Sequence, residues 1–246
     1  MTTFKEDSRL RDIKSSGCLR LALFLPQYAE EDGGGLRPIG AGVVAEAVLT
    51  KFVTELGVRL DISRQPTPHG AVEALNNGVF DTIILGINGG REQLIDFAPT
   101  LFRFDFAYMV SSASEINHSS EVDRSGVKIA VPIGHASWME LKKIIQHAEI
   151  IATELPVQAF EMLRDGSADV FALPREQLID FSNNYSGARI LKEGFGYNDV
   201  GLAVAKGRTE LCHALSEYTE LAKKSGLVQD ILNQKGLSDR GFTVPL

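Results

Sequence analysis

Hydrophobic and polar positions along the chain switch repeatedly between a period of two and a period near 3.6. Cys18-Leu-Arg-Leu-Ala-Leu-Phe24 alternates and predicts a strand. A short amphipathic helix is predicted before it over residues 7–16, with Leu10 and Ile13 on one face and Gly17 as its stop. Residues 26–38 predict a loop, with Glu30, Glu31 and Asp32 followed by three glycines. Val43, Val44, Ala47, Val48, Phe52 and Leu56 recur at helical spacing, and Gly57 ends that helix. A second strand is predicted over 58–62, a short helix over 70–77 stopped by Gly78, and a mostly apolar strand over 80–85 that suits burial on both faces.

The first 90 residues thus read β-α-β-α-β, and the pattern recurs. Strands are predicted over 127–131, 150–153 and 169–173, with helices over 137–147, 157–163 and 176–181. Strands that alternate with helices argue a mainly parallel sheet covered by helices, and two such half-units imply two α/β lobes. Residues 104–111 and 195–204 are the candidate crossings between the lobes. Lobe 1 is then 1–107 plus 203–246, and lobe 2 is 108–202. Helices over 209–225 and 228–234 complete the chain, and 111–120 is a polar surface loop.

Length agrees with that division, since 246 residues approach the size at which one hydrophobic core stops growing. Hydrophobic residues at 44% and charged residues at 23% exclude a disordered chain and a disulfide-scaffolded mini-protein. A net charge of -7 argues against a general nucleic-acid binder and for a small ligand. Cys18 and Cys212 form no C-x-x-C pair, and none of the five histidines pairs at helical ligand spacing, so no metal and no cofactor are expected. No apolar run is long enough to span a membrane. Lys5, Glu6, Asp7, Arg9, Arg11, Asp12 and Lys14 interrupt any signal-peptide core, so the chain is expected to be cytosolic or to have had a leader removed.

Several segments carry a resemblance. Ala74-Leu-Asn-Asn-Gly-Val-Phe-Asp81 is similar to an A-L-x-x-G-x-x-D step, and Arg91-Glu-Gln-Leu-Ile-Asp-Phe97 to an R-x-x-x-V-D-F segment. Gly126-Val-Lys-Ile-Ala-Val-Pro-Ile-Gly134 resembles the strand and glycine loop that open a second lobe. Residues 163–170 resemble an L-x-x-G-x-A-D-V segment, and Gly201-Leu-Ala-Val-Ala-Lys-Gly207 a return crossing. In this order and spacing they resemble the type 2 periplasmic solute-binding proteins of amino-acid ABC transporters, bacterial extracellular solute-binding protein family 3. The resemblance covers about residues 10–237. It implies a two-lobed periplasmic-binding-protein-like fold with two hinge crossings. It also implies a monomeric, non-enzymatic receptor that closes over a small carboxylate or amino-acid-like ligand and presents it to an ABC transporter permease in the periplasm. A cytosolic ligand sensor or orphan homologue is one alternative, and a dehydratase-like enzyme on the same scaffold, with Glu176 or Glu154 as acid, is the other.

The resemblance also implies site residues. Arg91 would clamp the ligand's carboxylate, a role its guanidinium fork suits. The plain alternative is a surface arginine paired with Glu92 or Asp96. Asn88 would bond the same carboxylate, or serve only as a turn residue. Gly86 would offer its carbonyl to the ligand's amine. Gly134, His135 and Ser137 lie before a helix start that can bind an anion, with Ser137 alternatively a plain N-cap and His135 a rim residue. Tyr28 could line the site, and His69 could touch the ligand's distal end or be a surface loop histidine. Two departures stand out. Pro174 occupies the place of the Asp that pairs a ligand's ammonium, with Arg175 next to it, and Gly40-Ala-Gly-Val-Val44 replaces G-F-D-x-D. A carboxylate without a free amine is therefore the better fit.

Overall fold

The computed structural model describes residues 8–245, so Asp7, expected to open the first helix, lies outside them. In chain order the first half runs α1 (Ser8–Ser16), β1 (Cys18–Phe24), β2 (Tyr28–Glu30), β3 (Leu36–Pro38), α2 (Ala41–Leu56), β4 (Arg59–Gln65), α3 (Pro68–Asn76), β5 (Thr82–Gly86), α4 (Gly89–Glu92), β6 (Ile95–Phe97) and β7 (Phe102–Val110). There follow β8 (Lys128–Pro132), α5 (Ala136–Ile144), β9 (Glu149–Thr153), α6 (Pro156–Asp165), β10 (Val170–Pro174), α7 (Arg175–Ser182), β11 (Arg189–Ile190) and β12 (Gly196–Ala205). The chain ends with α8 (Thr209–Lys224), α9 (Leu227–Gln234) and β13 (Phe242–Thr243). Two compact units result. One takes the chain up to Arg103, Asp199–Gly236 and the chain from Thr243; the other takes Phe104–Asn198 and Leu237–Phe242.

In the first unit β1 is the middle strand. It pairs in parallel with β4 from Cys18↔Arg59 to Phe24↔Gln65, and with β5 at Leu21↔Thr82 and Ala22↔Ile83. β12 adds antiparallel to β5, from Val200↔Gly86 to Ala203↔Ile83. Ala22 and Phe24 pack with Ala71, Val72 and Leu75 of α3, while Leu19, Leu21 and Leu23 on the other face of β1 are also fully buried. Both faces of β1 are therefore covered, as a parallel sheet requires. At the amino end of β5, the buried Asp81 accepts from Arg20 Nε and Nη2, both at 3.0 Å, and from the Arg20 backbone N–H at 2.9 Å.

The second unit repeats the plan. β8 is its middle strand, parallel to β9 from Lys128↔Glu149 to Pro132↔Thr153 and to β10 at Val170↔Ile129. β7 adds antiparallel to β10. Phe160, Leu163 and Phe171 fill one face with Ala107 and Met109, and Leu141, Ile129, Val131 and Tyr108 fill the other.

Four features differ from the sequence-based expectations. The loop over 26–38 contains a hairpin, β2 against β3 with Tyr28↔Pro38, closed where Gly34 N–H donates to the Glu31 carbonyl. β4 continues through Ser63, Arg64 and Gln65, because the main chain pairs with Ala22–Phe24 whatever the polarity of its side chains. α4 and β6 are too short to leave a periodic signal. Finally, α5 ends at Ile144 instead of residue 147, because the Asp123 carboxylate accepts the N–H groups of Gln146, His147 and Ala148 at 2.7–3.1 Å.

The strand orders position the functional ends. In the first unit the chain leaves β1 through α2 for β4 on one side, then through α3 for β5 on the other. In the second it leaves β8 through α5 for β9, then through α6 for β10 on the opposite side. Such a reversal opens a crevice at the carboxyl ends of the two strands that flank it. Those strands are β1 and β5 in one unit, β8 and β10 in the other.

Candidate functional site

In the first unit β5 ends at Gly86, and the Ile87 N–H is held by the Asp199 carbonyl at 2.8 Å. Asn88 is extended and caps the single turn of α4, its Oδ1 accepting from the Arg91 N–H at 3.0 Å. That cap sets the direction of Arg91. The Arg91 Nη1 donates to the Gly86 carbonyl at 2.7 Å, which uses one of the guanidinium's five donors. Burial lowers the Arg91 pKa, because the charge has lost part of its hydration. Asp96 is engaged elsewhere, by Lys206 Nζ at 2.8 Å and the Gly207 N–H at 2.8 Å. Arg91 is thus a half-buried cation with no carboxylate partner among the described residues.

The β1 end beside it is shaped by Gln27, which is buried. Its Nε2 donates to the Ile84 carbonyl of β5 at 2.7 Å and its Oε1 accepts from Phe24 at 3.3 Å. This bridge ties β1 to β5 and leaves Leu25 exposed. Tyr28, expected to line the site, is buried, with its hydroxyl 3.5 Å from the Gln65 carbonyl at the end of β4. His69 lies on the solvent face of α3, with Nε2 3.3 Å from Glu73 Oε1. Thr67, not the histidine, caps that helix.

In the second unit β8 is followed by Ile133, Gly134 and His135. Gly134 has φ +78°, in the left-handed region that favours glycine. His135 is the N-cap residue of α5, but its side chain makes no capping bond. It is half-buried, and burial pushes its pKa down, so the imidazole is neutral at physiological pH. Ser137 is fully buried, and its Oγ has no hydrogen-bond partner.

Pro174 ends β10 and starts α7. Arg175 turns into its own unit: Nε donates to Asp105 Oδ2 at 2.7 Å, Nη1 to the Leu191 carbonyl and Nη2 to the Lys192 carbonyl. Glu176 faces Arg240, whose Nε is 3.7 Å from Glu176 Oε1 and whose Nη2 reaches Asp180 Oδ1 at 2.7 Å. Burial pushes the Glu176 carboxyl above its usual range, and Arg240 opposes that shift. Asp199, at the β12 strand beside β5, is paired with Arg103 at 2.9 Å. Nothing local in the sequence signals these ion pairs, whose partners stand 60 to 96 residues apart. No group of three or more metal-ligating side chains occurs among the described residues.

No protein-family model matches the chain. It is 24% identical over 155 residues to the glutamine-binding protein of Geobacillus stearothermophilus, covering 62% of this chain and 59% of that protein. It is 23% identical over 236 residues to the L-cystine-binding protein TcyJ of Escherichia coli, covering 92% of this chain and 85% of that protein. Among solved structures it is similar to an ancestral cationic amino acid solute-binding protein, AncCDT-1, with a TM-score of 0.70, 22% identity, and coverage of 92% and 98% of the two chains. These relatives and solved structures are named as amino-acid-binding proteins, in keeping with the resemblance to family 3 drawn from the sequence motifs. The Arg91 turn follows β5, a flanking strand of the first unit, and the Gly134–Ser137 segment follows β8, the middle strand of the second. AncCDT-1 is also described as a precursor of cyclohexadienyl dehydratase, at a likeness that carries the fold alone.

Proposed function

We propose that the protein is the solute-binding receptor of an ABC-type transporter and takes a small carboxylate or amino-acid-like ligand. Arg91 anchors the ligand's carboxylate. The observation that carries this reading is a half-buried guanidinium at the carboxyl end of β5, with an adjacent asparagine cap and no acid paired with it among the described residues. A carboxylate delivered there gains charge-assisted hydrogen bonds in a poorly screened setting. In the second unit, Gly134, His135 and Ser137 offer backbone donors at the start of α5, where the helix dipole favours an anion or a polar ligand end.

In this reading the ligand-bound conformation is the form that a membrane permease recognises. The protein works as a monomer on the outer side of the cytoplasmic membrane. It acts by binding and not by covalent chemistry: the half-buried Glu176 carboxyl after β10 is engaged by Arg240. No helix among the described residues is long and apolar enough to cross a membrane.

Thermal melting against a panel of amino acids and small carboxylic acids tests this reading. A ligand at 100 times its dissociation constant adds about 2.7 kcal/mol, a shift that is readily measured. Stabilisation by at least one panel member, lost in the Arg91→Ala protein, is expected. No stabilisation by any member contradicts a small-carboxylate receptor.

A further inference from the structure

The register of β1 against β5 stops at Ala22↔Ile83, although β1 runs on to Phe24 and β5 to Gly86. In a parallel ladder the next hydrogen bond would run from the Phe24 N–H directly to the Ile84 carbonyl. The Gln27 side-chain amide stands in that place. Its Oε1 accepts from the Phe24 N–H at 3.3 Å, and its Nε2 donates to the Ile84 carbonyl at 2.7 Å. A donor on one strand and an acceptor on the other fix which way the amide points. One rung is thus replaced by two bonds in series with an amide between them, and the carboxyl ends of β1 and β5 are held apart.

The main chain of Gln27 is pinned as well. Its N–H donates to the Phe24 carbonyl at 2.6 Å, and its carbonyl accepts from the Ile39 N–H at 2.9 Å. Gly42 of α2 lies directly against that carbonyl, and an added Cβ would collide with it. The central residue of Gly40-Ala-Gly-Val-Val44 therefore has a structural use: it lets α2 close on Gln27. Gly86 lies two residues beyond Ile84 on β5, so its carbonyl faces the same side, toward β1. The Arg91 guanidinium bonded to that carbonyl therefore stands on the side of β5 that the Gln27 amide keeps open.

We infer that Gln27 is a positioning residue of this site: it sets the width of the crevice between β1 and β5, and with it the size of ligand that Arg91 can hold. This rests on the receptor reading above and adds a determinant of its size selectivity. Removing the amide leaves the Phe24 N–H and the Ile84 carbonyl buried and unpaired, and direct pairing between them satisfies both. That pairing draws β1 onto β5 and narrows the crevice beside Arg91.

Calorimetric titration of the full chain with two series of rising size tests the inference: alanine, glutamine and arginine, and propanoate, 4-methylpentanoate and 3-phenylpropanoate. In the series that the wild type binds, Gln27→Ala should shift the ratio of large-member to small-member affinity about tenfold toward the small member. Gln27→Met, with a side chain of similar length, should prop the strands apart and keep the ratio close to that of the wild type. Should Gln27→Ala fail to fold, Gln27→Asn carries the same expectation, because its shorter amide cannot reach both partners. An unchanged ratio with all members weakened alike, or a shift toward the large member, overturns the inference and leaves the receptor reading standing. A shift in Gln27→Met as large as in Gln27→Ala also overturns it, since selectivity would then follow the polarity of the amide and not the width it holds. If no probe binds the wild type, both fall.

Discussion

Arg91 and Gly86 stand five residues apart, and the guanidinium of the first is hydrogen-bonded at 2.7 Å to the carbonyl of the second. The bond fixes a cation at the carboxyl end of a buried strand while leaving most of its donors available. Its direction depends on Asn88, which caps the Arg91 N–H. Asn88→Ala should therefore weaken ligand binding by about 1 kcal/mol, through a looser guanidinium or a lost hydrogen bond to the ligand. Titration of this variant with the best-binding panel compound checks it, and unchanged affinity would remove Asn88 from the site.

Gly241 should be intolerant of any side chain. Its φ is +90°, and an added Cβ would collide with Asp105 Oδ1 and crowd the Arg175 stem. Gly134 has φ +78° but open space around it. Both alanine variants carry the left-handed penalty of about 1 kcal/mol, so Gly241→Ala should lose clearly more stability than Gly134→Ala in urea unfolding. Equal losses would mean that Asp105 and Arg175 yield without cost.

Asp81 is the acceptor for three bonds from Arg20 and is almost wholly buried. Removing one partner of a buried pair costs about 3–5 kcal/mol. Arg20 is partly exposed, so Asp81→Ala should fall at or below the lower end of that range. A loss under about 1 kcal/mol, the scale of a surface pair, would place the interaction among the dispensable ones.

His135 gives stability a pH dependence of known sign. Burial lowers its folded pKa below the ordinary 6.5, so the unfolded chain binds more protons in the window just below that value. Stability should rise with pH through the window and be lost as pH falls below it. His135→Gln should flatten this rise in unfolding curves measured between about pH 5 and 7. A rise of the same steepness in the variant would assign it to another group.

Much of this architecture can be read from periodicity. β1 was expected over the residues that form it, because its alternating pattern is bounded by Gly17 and by Pro26. The β2–β3 hairpin leaves no periodic signal, because its strands are three residues long and its turn is a run of glycines that resembles plain loop. The end of α5 escaped because Asp123, more than twenty residues upstream, supplies the competing acceptor. The site divides in the same way. Arg91 stood out through its strand-end position and the glycine pair beside it, which are local signals. Arg175 looked like a free charge beside Pro174, and only the folded chain brings it to Asp105, 70 residues away. Tyr28 looked like a site aromatic, yet the hairpin turns it inward toward Gln65.

The anchoring role of Arg91 is tested most directly by one calorimetric comparison. Wild-type and Arg91→Ala proteins are titrated with the tightest-binding carboxylate from the panel, with their unliganded melting temperatures measured alongside. Loss of binding by about 2–5 kcal/mol is predicted, the usual effect of removing one partner of a desolvated charge pair, with the melting temperature little changed and only part of the loss recovered in Arg91→Lys. Unchanged affinity in Arg91→Ala would contradict the account and move the anchor to the start of α5.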